Sequence, residues 1–290
     1  MEFWSLSHLS EAVKIGILKV GCIGTAPLID YLIDERAERE DIEVRVVGTG
    51  SKMSPDKALE ASQQLSSYKP TFAIVISPNA SLPGPKIARE TLLKAGIPTI
   101  VVSDSPARRI VKDLESSGFG YIILEADAMI GARREFLDPN EVAFFNGDVL
   151  RVLAITGSLR AAINALDRVV AAAKKGEKIS LPKLFVDQEM ALGESGLRNP
   201  YAVAKAMAAH EIARRVSGIS SDACFVVKEW EKYTPMVASA HEMMRAAARL
   251  ADEAREIEKG QDTVLRQPHG RDGTLLHKSR LIEKPAAKKS

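Results

Sequence analysis

The turn formed by residues 21–25, Gly-Cys-Ile-Gly-Thr, is the first candidate for ligand chemistry in the sequence. Gly21 and Gly24 are three positions apart, a spacing that permits a tight turn around Cys22 and Ile23. If a helix starts near Thr25, its first backbone amides have no partner within the helix and favour an anionic or phosphate group. The turn therefore indicates a cofactor contact, although every α/β protein needs turns of this kind.

Four more turns of small or polar residues follow the other apolar runs of the first half. The residues of interest in them are Thr49, Gly50 and Ser51, then Pro78 and Asn79, then Asp104, and finally Asp127 and Met129. In open α/β sheets, ligands bind beyond the carboxyl ends of the strands. Five compatible turns at one edge therefore predict a ligand site on that rim of the sheet.

The rim does not match the usual nicotinamide-dinucleotide fingerprint. The first turn has the spacing G-x-x-G and lacks the third glycine of G-x-G-x-x-G. The second strand ends at Gly48, where an acidic residue would normally bind the ribose hydroxyl. No arginine stands there for a ribose phosphate, although Lys52 is close. Ordinary NAD(P) binding is therefore disfavoured.

Nucleophilic and metal chemistry have little support. Cys22 has no histidine near it in sequence to activate its thiol, and Cys224 is interpreted as a core residue. His241 begins a pattern similar to the zinc motif H-E-x-x-H, but Arg245 stands where the second histidine is required. The sequence therefore predicts no metal. His241 either contacts a ligand or packs as an ordinary surface histidine.

The segment 127–139 follows the last apolar run of the first half and is rich in charge. Arg133 and Arg134 lie close in sequence to Glu135 and Asp138. Two interpretations stay open for this segment: a salt-bridged structural turn, or a contact with a polar ligand at the rim.

The elements that position these turns alternate between strand and helix. Short apolar runs separated by Gly/Pro-rich turns are typical of buried parallel strands. The predicted strands are 14–20, 43–48, 71–77, 99–103 and 121–125, and the predicted helices are 24–40, 55–67, 85–95 and 106–116. The fold class predicted is α/β, with a doubly wound Rossmann-like parallel sheet over residues 12–126 as the coenzyme-binding domain.

The second half is predicted to be a helical region with short strands, residues 127–262, followed by a small β segment at the C-terminus. The predicted helices are 138–175, 200–216 and 237–259, and the short strand candidates are 183–186 and 224–228. Residues 263–290 form a basic C-terminal arm; from Arg266 onward it has seven Lys/Arg against two Asp/Glu. Because no aromatic residues interleave these charges, an arm packed on the body or on a neighbouring subunit is favoured over nucleic-acid binding.

Composition supports a globular chain. The 290 residues carry 40 Lys+Arg and 38 Asp+Glu, with 46% hydrophobic residues, which excludes a disordered chain, a collagen and a coiled coil. No apolar run is long enough to span a membrane, and the first residues lack the features of a signal peptide. Two cysteines are too few for a disulfide framework. We expect a cytoplasmic, reduced protein that binds no nucleic acid and no membrane.

Over residues 14–282 the chain resembles the coenzyme F420-dependent methylenetetrahydromethanopterin dehydrogenases of methanogenic and related archaea. The resemblance is carried by LIDERAEREDIEVRVVGTGSKM (32–53), GYIILEADAMIGARREFLDP (120–139), NPYAVAKAMAA (199–209) and PMVASAHEMMRAAARLADEAREIEK (235–259). Shared runs of this length are more specific than short motifs. The chain departs from the family pattern at Cys22, Ile23 and Ser77, in a shorter helix after Pro55, and in an extra segment at residues 1–11.

The resemblance implies an oxidoreductase of archaeal one-carbon metabolism, in methanogenesis or its reverse. Reduced coenzyme F420, a dissociable deazaflavin, would give hydride to methenyltetrahydromethanopterin and produce the methylene form. No catalytic side chain is expected, because the methenyl carbon is already electrophilic and the protein need only orient two rings. The alternatives are an NAD(P)-linked dehydrogenase of a similar carrier and a non-catalytic ligand-binding α/β protein.

The same resemblance assigns the rim residues to two ligands. The coenzyme is expected over Gly21, Cys22, Ile23, Gly24, Thr25, Thr49, Gly50, Ser51, Pro78, Asn79 and Asp104. The pterin is expected near Asp127, Met129, Arg133, Arg134 and His241. Family members assemble as homo-oligomers, described as hexamers built from dimers, which agrees with the alanine-rich helices of the second half.

Overall fold

A single parallel sheet of six strands forms the centre of the molecule. The computed structural model describes residues 12–27, 29–35 and 37–287, so the predicted extra segment 1–11 lies outside the described residues. The strands are β1 (Val13–Lys19), β2 (Ile42–Gly48), β3 (Phe72–Ser77), β4 (Thr99–Ser103), β5 (Gly120–Leu124) and β6 (Lys183–Val186). Their order is β2-β1-β3-β4-β5-β6, which places a reversal of strand order between β1 and β3.

Nine helices accompany the sheet within the described residues. They are α1 (Ile29–Ile33), α2 (Pro55–Ser67), α3 (Pro83–Lys94), α4 (Val111–Ser116), α5 (Pro139–Thr156), α6 (Ser158–Lys174), α7 (Gln188–Ser195), α8 (Pro200–Ser221) and α9 (Trp230–Gly260). A 3₁₀ turn, Ser105–Ile110, precedes α4, and a π-helical turn, Asp222–Val226, follows α8.

Helices cover both faces of the sheet. Side chains alternate between the faces of each strand, so Ile17 and Val75 belong to different cores. Ile17 packs in a core with Leu166 of α6 and residues of α1. Val75 packs with Leu65 of α2 and with α3, while the 3₁₀ turn and α4 cover β4 and β5 on a third core. The doubly wound parallel sheet predicted from the sequence is therefore confirmed, including all five of its first strands.

The predicted helix 24–40 is wrong, because α1 is only Ile29–Ile33. Residues 34, 35 and 37–39 offer the core little apolar surface, and the Arg39 side chain bonds the end of the helix. Its Nη1 donates to the carbonyl of Ile33 at 2.7 Å, and its guanidinium pairs with Asp41 at 3.0 Å. Since these bonds satisfy a carbonyl at the end of the helix, they favour termination there.

The second half is a helical layer that also completes the sheet. Helix α5 and helix α6 are separated at Gly157, which has a φ of 94°, so the single predicted run 138–175 is two helices. Strand 183–186 is confirmed as β6 and pairs with β5. The predicted strand at 224–228 is wrong, since residues Asp222–Val226 form the π-helical turn. Helix α7 was not predicted.

The C-terminal arm packs on the body of the protein, as expected from the sequence. The short pair β7 (Leu276–His277) and β8 (Ala286–Ala287) supplies the predicted β character. His269 of the arm contacts both Glu35 and Asp167 at 3.1 and 3.0 Å. Across the described residues, no single helix could span a membrane; only α5 and α6 together, bent by 69°, meet the length and composition for it.

Candidate active site

Helix α8 lies across part of the rim formed by the carboxyl ends of the strands. Ser217 of α8 donates to Asp104, directly after β4, at 2.5 Å. At the other side, Gln188, two residues after β6, donates to the carbonyl of Met207 at 3.0 Å. The turns after β1, β2 and β3 make no such contact with α8 among the described residues. On this part of the rim, Cys22, residues 49–51 and Asn79 are exposed or half-buried; they flank the reversal of strand order, where ligands bind in sheets of this kind.

The turn after β2 presents exposed backbone at this place. Gly50 has a φ of 63°, and a Cβ built on it would meet nothing within 4 Å. Ser51 is also exposed, and Thr49 is half-buried. The Thr49 hydroxyl donates to the carbonyl of Lys52 at 2.5 Å, which closes the turn. A flat ligand can therefore approach the main chain of residues 49–51 closely.

The glycines of the first turn are required by packing. Gly21 has a φ of 79°, and a Cβ there would lie 2.5 Å from the sulfur of Met53 and 3.2 Å from Pro78. A Cβ on Gly24 would lie 2.4 Å from Val149 Cγ1 and 2.6 Å from Asp127 Oδ1. Gly21 and Gly24 are therefore explained by close contacts within the protein, whatever ligand lies outside them.

Asp127 fastens the first turn to the end of β5. Its Oδ2 accepts the Thr25 hydroxyl at 2.6 Å and the Thr25 amide at 3.2 Å. Neither residue is accessible to solvent. Burial raises the pKa of Asp127 to about 6, opposed by the hydrogen bonds from Thr25. Ile23 of the same turn is also buried, which leaves the half-buried Cys22 as the accessible side chain of the turn.

The turn after β3 combines one buried and one accessible residue. Pro78 is buried and Asn79 is half-buried. Asn79 Oδ1 accepts the Ser81 amide at 3.0 Å, so the Asn79 side chain shapes its own turn. The Ser77 hydroxyl is buried and has no hydrogen-bond partner among the described residues. An unsatisfied polar atom at this place is what a polar ligand or an ordered water would satisfy.

Asp104 is placed beneath α8 rather than on the open rim. Both of its oxygens are bonded, one to the Ser105 amide and the other to the Ser217 hydroxyl. It is fully buried, and this burial raises its pKa to about 8, with the negative charge of Asp127 adding to the effect. Asp104 is therefore positioned to join α8 to the sheet, and its predicted contact with the coenzyme stays a prediction.

Arg133 holds the segment 127–139 against the π-helical turn. Its Nε and Nη2 donate to the Ala223 carbonyl at 2.9 and 2.7 Å, and Nη2 also donates to Val227 at 3.1 Å. Its guanidinium lies 4.1 Å from the ring centre of Tyr233. Arg133 is therefore structurally engaged, but through carbonyls and a ring rather than the salt bridge that the structural interpretation expected; the ion pair of the segment joins Arg134 to Glu135 at 3.3 Å. Arg134 differs, because its side chain is 95% exposed.

Met129 and His241, both expected near the pterin, are buried in the protein interior. Met129 is 8% exposed and belongs to the main core. His241 is buried, not on the surface, with its ring 4.9 Å from Phe136 and 4.5 Å from Phe145. Its Nδ1 lies 3.4 Å from Glu141, while its Nε2 has no partner among the described residues. Burial lowers the pKa of His241, which favours the neutral ring.

The described residues hold no cluster of three or more metal-ligating side chains. Burial raises the pKa of the Cys22 thiol, and the nearby charge of Asp127 raises it further. The thiol is therefore protonated near neutral pH, which makes it a poor nucleophile.

The sequence analysis did not predict two residues that contact the predicted site residues. Ser217 bonds Asp104 from 113 positions away, and Glu141 reaches His241 from the first turn of α5. Asp138 caps α5 by accepting the Glu141 amide at 2.9 Å, and that cap could have placed Glu141 at a helix start. No local pattern marks Ser217.

Comparison with known proteins identifies the family of the chain. The family model for methylene-5,6,7,8-tetrahydromethanopterin dehydrogenase matches residues 13–286. An F420-dependent methylenetetrahydromethanopterin dehydrogenase of Archaeoglobus fulgidus is 55% identical over 94% of this chain and 99% of its own length. The enzyme of the same description from Methanocaldococcus jannaschii is 52% identical over the same shares of the two chains.

A solved structure extends the likeness to three dimensions. It is an F420-dependent methylene-tetrahydromethanopterin dehydrogenase in complex with methylene-tetrahydromethanopterin and coenzyme F420. It superposes with a TM-score of 0.91 at 46% identity, covering 95% of this chain and 100% of the other. The chain therefore belongs to the methylenetetrahydromethanopterin dehydrogenase family.

Proposed function

We propose that this protein catalyses reversible hydride transfer between coenzyme F420 and the one-carbon group of tetrahydromethanopterin. The observation that carries the proposal is the likeness, over nearly the whole chain, to a structure that holds both of these ligands. The strand order agrees with it, because the accessible rim lies at the reversal between β1 and β3.

The residues present on the rim fit a flat, polar coenzyme. The open space at Gly50 and the exposed main chain beside it admit a ring system close to the backbone. The buried Ser77 hydroxyl offers an unused donor and acceptor at the adjacent strand end. We place the coenzyme over Cys22, residues 49–51 and Asn79, and when bound it supplies the hydride.

The chain's own contribution is orientation. The Thr25–Asp127 bonds fix the first turn, and the Asp104–Ser217 bond fixes α8 above the sheet. Rigid supports of this kind hold reactants at the distance where reaction occurs, which can lower a barrier by roughly 7–11 kcal/mol. The acceptor carbon of the methenyl form is already cationic, so no side chain is required to protonate it.

We place the pterin beside the segment 127–139. Arg134 of this segment is exposed and pairs with Glu135 at 3.3 Å, and we propose that it exchanges this exposed ion pair for a polar group of the substrate. His241 packs against Phe136 of this segment and against Phe145, and the three rings form an aromatic cluster. In this arrangement Asp127, Met129 and Arg133 act by shaping the segment, since their side chains are buried or fully engaged.

We also propose that the protein is a cytoplasmic homo-oligomer. The helical layer exposes large apolar side chains, among them Tyr201 at 78% and Met207 at 42% on α8. Large apolar side chains left exposed on a helix are candidates for contact with a second copy of the chain. Light scattering coupled to size-exclusion chromatography measures the assembly directly, and a monomeric mass at working concentrations would contradict this part of the proposal.

The activity is tested by spectrophotometric assay of the purified protein with methylenetetrahydromethanopterin. We expect reduction of coenzyme F420 and no reduction of NAD or NADP. Activity with NADP and none with the deazaflavin would establish the NAD(P)-linked alternative. Tight binding of the deazaflavin with no turnover of the pterin would establish a non-catalytic binding protein.

A further inference from the structure

A cavity of about 230 Å³ lies between the C-terminal arm and the helical layer. Three guanidinium groups line it, and each comes from a different element: Arg160 from α6, Arg255 from α9 and Arg266 from the arm. None of the lining residues belongs to the rim described above.

Arg160 forms an inner wall of this cavity. Its Nη1 donates to the carbonyls of Glu194 and Ser195 at 2.8 and 2.7 Å, and its Nη2 donates to Leu265 at 3.3 Å. These partners are neutral carbonyls; the nearby Glu194 carboxylate accepts from Asn164 and acts on the Arg160 charge without a direct ion pair. Gly196 makes room for the contact, since a Cβ there would lie 3.1 Å from Arg160 Nη1.

The other two guanidinium groups have N–H donors that no acceptor in the described part of the chain satisfies. Arg255 is exposed and forms no hydrogen bond or ion pair with another part of the described chain. Arg266 uses Nη1 on the carbonyls of Val264 and Ser279, both at 3.1 Å. Its Nη2 and Nε have no protein acceptor within the described ranges.

The one acidic residue of the lining is already engaged. Glu258 Oε1 accepts the amides of Arg198 and Asn199, both at 2.7 Å, and its Oε2 accepts the Thr263 hydroxyl. These hydrogen bonds hold the pKa of Glu258 below its usual value against the effect of burial. Three guanidinium charges minus this carboxylate leave the lining with a net charge of +2.

We propose that this cavity binds a phosphate-type oxyanion, either inorganic phosphate or the phosphate group of a small metabolite. Guanidinium groups bind such anions through paired, charge-assisted hydrogen bonds. Because Arg266 belongs to the arm while Arg160 and Arg255 belong to the helices, one bound anion joins the arm to the body. An anion that binds only the folded chain stabilises it.

The test is thermal unfolding and titration calorimetry of the full chain. Millimolar inorganic phosphate, and separately pyrophosphate, are compared with potassium chloride at equal ionic strength. The variant is Arg255→Gln, whose side chain is exposed, so the fold is retained. The control is Arg249→Gln, an exposed arginine of the same helix that does not line the cavity. Any general effect of phosphate as a salt is shared by all three proteins.

We expect phosphate to raise the unfolding temperature of the unaltered chain and of Arg249→Gln. For Arg255→Gln we expect the dissociation constant to rise about tenfold, since a hydrogen bond to a charged group is lost. Stronger binding of pyrophosphate than of phosphate would identify a diphosphate group as the better ligand and support the site. The proposal is overturned if phosphate acts no differently from chloride, or if Arg255→Gln responds like the unaltered chain.

Discussion

The Thr25 hydroxyl and the Asp127 carboxylate form a buried hydrogen bond of 2.6 Å that joins the turn after β1 to the end of β5. The two residues are 102 positions apart, and both are inaccessible to solvent. The shape of the first turn, at the place where the strand order reverses, therefore depends on a carboxylate that follows β5, three strands away from β1 in the sheet order.

Removing the hydroxyl tests this dependence. Thr25→Val keeps the shape of the side chain but leaves Asp127 Oδ2 with the Thr25 amide alone. A lost hydrogen bond to a charged group destabilises a fold by roughly 1.5–3 kcal/mol, and the loosened turn should bind the coenzyme more weakly. Urea unfolding and a fluorescence titration with coenzyme F420 measure the two effects.

Thr25→Ser is the matched control, because it retains the hydroxyl. We expect it to bind the coenzyme almost as the unaltered chain does. If Thr25→Val binds coenzyme normally, or if Thr25→Ser is equally impaired, the turn does not depend on this hydrogen bond.

Asp104 should make the stability of the protein fall as pH rises. Burial raises its pKa from 3.8 to about 8, so the folded chain holds this proton more tightly than the unfolded chain. Below about pH 4 the group is neutral in both states and has no effect; between about pH 4 and about pH 8 its contribution becomes progressively unfavourable.

Asp104→Asn removes this dependence, because the amide is neutral at every pH. Its oxygen can accept the Ser105 amide, and its NH₂ can donate to Ser217. The stability gained over the unaltered chain should therefore be larger near pH 8 than near pH 5 in urea unfolding. Asp113→Asn, an exposed acid on α4, is the control. A gain that is the same at both pH values would show that Asp104 is ionised throughout.

The sheet and its rim could be predicted because their signals are local. Buried parallel strands such as β3 and β4 are unbroken apolar runs, and each is followed by a polar turn. The order of the strands could not be predicted, since it depends on contacts between distant segments. The error at 24–40 has a different origin: α1 ends where Arg39 bonds the Ile33 carbonyl and Asp41, and these contacts, although local, are not included in any helix propensity.

The site residues divide in the same way. Glycines at positions 21, 24 and 50 are visible in the sequence, but only packing shows that Gly24 faces Val149 while Gly50 faces open space. Partners that decide the chemistry of a carboxyl group, such as Ser217 for Asp104, come from the other half of the chain. A single sequence holds no signal for such a pair.

His269 should stabilise the attachment of the arm up to high pH. Hydrogen bonds from its ring to Asp167 and Glu35 raise its pKa to about 9. Because the folded pKa lies above the unfolded value of about 6.5, the stabilisation is complete below that value and is lost as pH rises through about 9. The difference between the folded and unfolded pKa of His269 corresponds to roughly 3 kcal/mol of stability.

His269→Gln should therefore lower the free energy of unfolding at pH 6 and make little difference above pH 9, measured by urea unfolding. His277→Gln, a half-buried histidine of the same arm, is the control and should show no such pattern. A loss of stability that is independent of pH would mean that His269 acts by packing and not by charge.

Arg133 and Arg134 are neighbours that should respond to substitution in opposite ways. Arg133 donates three hydrogen bonds to the carbonyls of Ala223 and Val227 and stacks on Tyr233. Arg133→Ala should cost roughly 1.5–3 kcal/mol of stability, because partly buried carbonyls lose a charged donor. Arg134→Ala should leave the unfolding temperature unchanged, since the side chain is 95% exposed.

Activity separates the two roles further. If the pterin contacts this segment as proposed, Arg134→Ala should raise the KM for methylenetetrahydromethanopterin and leave the affinity for coenzyme F420 unchanged. Arg134→Lys, which retains the charge, should restore most of the loss. An unchanged KM in Arg134→Ala would exclude Arg134 from the substrate site. A stable Arg133→Ala with weakened pterin turnover would instead assign the substrate contact to Arg133, because its contacts with the π-helical turn would then be dispensable for folding.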